Sequence, residues 1–165
     1  KYNKNYSKPT KSLKSTQNYF NETKSLSAID IKEFSFLYIL LKKPELIKDN
    51  FNLIENVKLF SSENKLLLKE IIDQTNNFEN TNLESLKIDQ SLIDRILKYA
   101  SIKHILFKNL DDDQKILEIL SELIRDLKNY ELELRIIDLE SRFSKDLSEA
   151  TFNELKELKK LQKIN

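Results

Sequence analysis

The sequence predicts an all-α protein: a small multi-helix globule followed by a long helix and a C-terminal helical hairpin. Three observations point there. Glycine is absent from the 165 residues, where average usage would give about 12. Proline occurs only twice, and apolar side chains recur at spacings of three and four over most of the chain. Tight β-turns rely on glycine, so this composition leaves helices as the building element. A hydrophobic content of 39% in 19.6 kDa is enough for a core, so the chain is not a disordered tail.

Composition also excludes chemistry. Without glycine there is no phosphate-cradling loop of either the Walker or the dinucleotide-binding kind, which argues against nucleotide hydrolysis. With no cysteine and one histidine, His104, there is no disulfide framework, zinc finger, thiol nucleophile or multi-histidine metal cluster. Neither a metal nor a cofactor is expected, and no residue is assigned a catalytic role. The longest apolar stretch, Phe34 to Leu41, is far shorter than a membrane span and is interrupted by Ser35. Lack of cysteine fits a cytoplasmic protein. A first residue of lysine is what a fragment of a longer protein or a processed product would show.

Residues 1–27 read as a flexible basic linker. Within residues 1–25 six lysines face one acid, Glu22, a surplus of +5, and the remaining 140 residues carry 22 basic against 26 acidic side chains, −4. The lead has no apolar periodicity with which to offset the entropy of ordering. The competing reading is a phosphate-binding arm in which Tyr2, Tyr6, Tyr19 and Phe20 stack on bases.

A helical globule is expected over 28–108. Asp30, three residues before Glu33, suggests a capping box ahead of Phe34, Leu37, Tyr38 and Leu41. That helix should stop before Pro44, which suits the first turn of a short helix carrying Leu46 and Ile47. Leu53, Ile54, Val57, Leu59 and Phe60 form a compact connection with room for one more helical turn. Ser61 or Ser62 caps a helix with Leu66, Leu67, Ile71 and Ile72 as its apolar series. Thr81 and Glu84 give another capping pattern. Asp89 starts a helix with Leu92, Ile93, Ile96, Leu97 and Ala100 on one face. His104, in the apolar stretch Ile102 to Phe107, is expected to be a structural histidine at a helix end.

Residues 109–165 form the long helix and hairpin. Asp111, Asp112 and Asp113 resemble a metal cluster, yet they stand where the long helix must begin, and capping with the helix dipole accounts for them. Ile116, Leu120, Leu123, Leu127, Tyr130, Leu134 and Ile137 then make a heptad stripe over about three heptads, with Ile119, Ile124, Ile136 and Leu139 broadening it. The helix is expected to project from the globule, with a bend near Asn129 or Ser141. Ser148 can cap the last helix with Leu147 and Phe152 as a hydrophobic staple. Phe152, Leu155, Leu158, Leu161 and Ile164 then lie back against the long helix, around a tip of Phe143, Ser144 and Leu147. Apolar residues left over on such a hairpin suit a partner's helices, or a second copy that exchanges hairpins.

The segment FSFLYILLKKPELI, Phe34 to Ile47, resembles the opening leucine-rich helix and Pro-Glu-Leu of the C-terminal helicase-interaction domain of DnaG-type bacterial replicative primases. The closing pattern LESRFSKDLSEATFNELKELKKLQ is similar to that family's long helix, Leu-Ser turn and final Glu-Leu helix. The resemblance covers about residues 28 to 165. It implies a non-catalytic module that docks the primase onto the N-terminal domains of the hexameric DnaB-type helicase and modulates it during primer synthesis. Template recognition and RNA synthesis would reside in other domains of the parent primase, and the basic lead would be a tether that raises effective concentration. Carried over by position, the helicase contacts implied are Phe143, Leu147, Phe152, Leu155, Leu158 and Leu161, with Arg135, Arg142 and Lys159 as polar rim. Two other readings remain. The chain could be the similar N-terminal domain of the helicase itself, or a nucleic-acid-binding adaptor acting through residues 1–25.

Overall fold

The computed structural model describes residues 23, 24, 26–77, 89–109 and 112–164. Among these residues the regular elements are eight helices, and no strand occurs. The all-α class and its order, with a long penultimate helix and a C-terminal helix, are as the sequence predicts.

The first helix, α1 (Ala28–Lys42), is the hub of the globule and packs against four later helices. Phe34, Phe36, Leu37, Ile39, Leu40 and Leu41 are all buried, so its middle is apolar all round, as suits a helix enclosed on every side. Buried Ser35 is satisfied too: its hydroxyl donates to the Ile31 carbonyl at 2.8 Å and lies 3.1 Å from the Ser101 hydroxyl.

The start of α1 differs from the sequence expectation. Ser27, not Asp30, is the cap: its hydroxyl accepts the Asp30 N–H at 3.2 Å, and the Asp30 carboxylate accepts the Ser27 N–H at 2.8 Å. Both Ser27-x-x-Asp30 and Asp30-x-x-Glu33 fit the pattern. The earlier start wins because it packs Ile29 against the core and releases Glu33 for a different task. Glu33 is fully buried and its carboxylate accepts hydrogen bonds from the Phe60 N–H, the Ser61 N–H (3.5 Å) and the Asn64 side-chain amide (2.6 Å).

After α1, Pro44 precedes α2 (Glu45–Asp49), one position earlier than expected and for the same reason, a proline ring with φ −63° that needs no N–H partner. Next come α3 (Phe51–Glu55) and α4 (Ser62–Asn77). On α4 the inward series is Leu67, Leu68 and Ile71, whereas Leu66 is 66% exposed. The apolar run Leu66-Leu67-Leu68 fits either of two registers, and packing under α1 chooses the second. The capping pattern at Thr81 and Glu84 lies outside the described residues.

α5 (Gln90–Tyr99) begins as predicted. The Asp89 carboxylate accepts from the Ser91 N–H (2.9 Å) and hydroxyl (2.6 Å), bonds that hold its pKa below the ordinary carboxylate value. A depressed carboxylate pKa contributes stability above the unfolded value and loses it as pH falls through the folded one. In an acid titration followed by amide NMR, the Ser91 N–H should lose exchange protection before the middle of α5 does. The short α6 (Lys103–Lys108) buries Leu106 and leaves His104 exposed on its first turn.

The long helix α7 (Asp113–Lys145) runs without interruption for 33 residues, about 50 Å, and includes both Asn129 and Ser141. Asp112 caps it by accepting the Lys115 N–H at 3.0 Å, and Asp113 holds the Lys43 ammonium at 2.9 Å. That hydrogen bond leads the causes that raise the Lys43 pKa. Asp112 and Asp113 therefore cap α7 and tie it to the end of α1, and Asp111 lies outside the described residues.

α7 has two buried faces, not one seam. Ile116, Leu120, Ile124 and Leu127 face α1 and close the globule's core. Tyr130 then meets the Phe60 ring edge-on at 4.9 Å, and Glu131 takes the Lys58 ammonium at 2.6 Å, which marks the edge of the globule. Beyond it, Ile136 and Leu139 turn to the last helix, α8 (Glu149–Ile164), and with Leu155 and Leu158 make a separate small core. At about 100° per residue, Ile136 lies about 160–180° around the helix from Leu120 and Leu127, and Leu139 about 100–120°. Globule and α8 thus grip different sides of α7, at different positions along it. Leu139→Ala should cost about 2–3 kcal/mol of α8 docking. Hydrogen exchange should show α8 amides losing protection while those of α1 keep theirs.

Candidate partner-binding surface

The distal hairpin carries the candidate surface. α7 ends where the Asp146 N–H donates to the Arg142 carbonyl at 2.9 Å, and the Phe152 N–H donates to the Ser148 carbonyl at 3.0 Å, which starts α8. Phe143 and Ser144 belong to the last turn of α7, so the turn itself is Asp146 to Ser148. The expected staple between Leu147 and Phe152 does not form. Phe152 instead packs on Phe143, ring centroids 5.7 Å apart and tilted by 38°, and Leu147 stands 81% exposed. An aromatic neighbour offers Phe152 more contact area than an isobutyl group on the turn.

The nine positions implied by the resemblance divide by burial. Leu155 and Leu158 are buried against Ile136 and Leu139 and close the hairpin, and Leu155 keeps one edge in a cleft on α8. Phe143 is half-buried beneath Phe152. Leu147, Phe152 and Leu161 are exposed and free to be covered. The three cations are exposed but paired: Arg135 with Glu154 at 2.5 Å, Arg142 with Asp138 at 3.2 Å, and Lys159 with Glu140 at 2.6 Å. Arg135 and Lys159 each bridge α7 and α8 and hold the two helices in register. Exposed pairs of this kind contribute little stability, so a partner could exchange them at small cost.

The resemblance missed Leu134 and Ile137, which are 40% and 59% exposed. Both belong to the predicted heptad stripe; at about 100° per residue Leu134 continues the line of Ile116, Leu120 and Leu127, and Ile137 lies about 60–100° to one side of it. That line runs off the globule's edge after Tyr130. Beyond that edge Leu134 and Ile137 stand partly open among the described residues, because α8 packs on a different side of α7. The signal was in the sequence, but a stripe gives no length at which its cover ends.

Two concavities lie near this surface. One, of about 390 Å³, is lined by Phe152, Leu155, Lys156, Lys159, Lys160 and Lys163, all on α8. The other, of about 630 Å³, lies on the globule, between the Val57 to Phe60 connection and α4, with Lys58, Lys65 and Lys69 among its walls. Beside the first, the Lys160 ammonium bonds Glu157 at 2.6 Å and holds that carboxyl below its ordinary pKa. Among the described residues no group of three or more His, Cys, Asp or Glu side chains is placed to hold a metal ion. No helix among them is long and apolar enough to cross a membrane.

Comparison with protein-family models, with curated proteins and with solved structures found no match in any of the three.

Proposed function

We propose that the chain is the helicase-interaction domain of a bacterial replicative primase, a non-catalytic cytoplasmic module that docks through the distal end of the α7–α8 hairpin onto helices of a hexameric DnaB-type helicase. The observation that carries this reading is the apolar surface left after the hairpin has closed its own seam. Leu134, Ile137, Leu147, Phe152 and Leu161 are all at least 40% exposed, and all lie beyond Leu127, the last α7 residue in the globule's core. A projecting helical pair with uncovered apolar side chains suits helix-on-helix recognition. The resemblance of the chain's two ends to the primase family supplies the identity of the partner.

The globule is read as a mount that sets the hairpin's direction, and residues 1–25 as a tether. The surplus of +5 in that lead also favours a second reading, a nucleic-acid-binding adaptor. Deleting residues 1–25 separates the two. On the docking reading, the Kd for the helicase N-terminal domain and its salt slope stay within about twofold, because the lead makes no part of the contact. An adaptor would instead lose its binding to single-stranded DNA together with a steep salt dependence. Isothermal titration at two salt concentrations reads both outcomes.

A further inference from the structure

We infer that α8 carries a recognition strip for an acidic amphipathic helix of the partner protein, with one apolar side chain seated in the cleft between Phe152 and Lys163 and carboxylates of the same helix flanking it. The inference deepens the docking reading by naming the partner's chemistry.

Phe152, Leu155, Lys156, Lys159, Lys160 and Lys163 follow one another at spacings of three, one, three, one and three, so they share one flank of α8 over about 16 Å. That length spans three turns of an opposing helix. The cleft they line has an apolar floor, with Leu155 buried and Phe152 half exposed, and four lysines complete its walls. No carboxylate lines it. An apolar anchor flanked by acids is therefore the complement in both shape and charge.

Two of the four lysines are engaged within the hairpin, Lys159 with Glu140 and Lys160 with Glu157. Lys156 and Lys163 form no ion pair among the described residues and remain for the partner. A nucleic-acid strand fits less well. Glu149, Glu154 and Glu157 on the same helix dilute the positive field a phosphate chain needs, and Phe152 already has one face against Phe143.

The test uses the full chain, isotope-labelled, with three probes: an 18-residue helical peptide bearing Leu at heptad positions and Glu elsewhere, the same peptide with Gln for Glu, and an 18-nucleotide single strand of thymidylate. The Glu peptide is expected to shift amides of residues 152–163, to bind at least tenfold more tightly than the Gln peptide, and to weaken at least tenfold in K156E/K163E. The double variant changes only exposed side chains, and an unchanged amide spectrum elsewhere verifies its fold. Three results would each overturn the inference. The Glu peptide could map to the α4 cleft, K156E/K163E could bind it unchanged, or the oligonucleotide could occupy residues 152–163 more tightly than the peptide. None of these depends on whether the helicase is the partner, so the strip and the docking reading can fail separately.

Discussion

Replacing Glu33 with Ala should lower the stability of the globule by about 3 kcal/mol, the largest loss expected from any single change outside the apolar core. The side chain is fully buried between α1 and the start of α4, where its carboxylate receives two backbone N–H groups and the amide of buried Asn64. It pins the two residues that lead into α4 and the Asn64 side chain on its first turn, and the nearby N-terminus of α4 favours a carboxylate there. Alanine would leave those donors buried without a partner, and a buried unmet donor costs more than the bond itself contributes. Glu33→Gln keeps one oxygen acceptor and should lose roughly half as much. Urea unfolding followed by circular dichroism measures both; a midpoint shift with an unchanged slope is the expected form. A loss below about 1 kcal/mol in Glu33→Ala would mean that water or a rearranged loop satisfies the donors.

Replacing Phe152 with Ala should weaken binding to the helicase N-terminal domain by tenfold or more, about 1.4 kcal/mol at the least, while the globule keeps its unfolding midpoint. Phe152 is the largest exposed apolar side chain of the hairpin, held in place by the Phe143 ring at 5.7 Å. An aromatic anchored on one side and open on the other is the kind of residue that dominates an interface when truncated. Its loss also uncovers Phe143, so the comparison variant is Leu147→Ala. That position is 81% exposed on the turn. Leu147→Ala should have the smaller effect. If Phe152→Ala binds as the parent chain does and remains folded, the hairpin is not the docking element.

Elements were legible in the sequence where one local pattern sufficed. Asp89 and Asp112 sit where short polar residues precede apolar periodicity, and both cap their helices as such residues do. The absence of glycine made helices the only economical architecture. Competition between equivalent patterns produced the departures. Ser27 and Asp30 both begin a capping box, and the choice depends on a pocket for Glu33 assembled from residues 60–64, remote in sequence. On α4 three consecutive leucines offer two registers, and only the shape of α1 rejects Leu66. The stripe on α7 marks an apolar line, yet which part of it is covered depends on where the globule ends and on which side of α7 the last helix docks.

The hairpin shows the same limit. Leu155, Leu158, Leu161 and Phe152 have similar sequence credentials as partner contacts, and packing alone assigns the first two to the seam with Ile136 and Leu139. A periodic pattern identifies an apolar face; it does not say whether the chain or another molecule covers it.

The most direct test of the docking account is size-exclusion chromatography with light scattering of the full chain, alone and mixed at tens of micromolar with the N-terminal domain of its own organism's replicative helicase. The account predicts a monomer alone and a single co-eluting complex in the mixture. Separate peaks for the two proteins would contradict the helicase-docking account, and a stable dimer of the chain alone would reassign the Leu134 and Ile137 face to self-association.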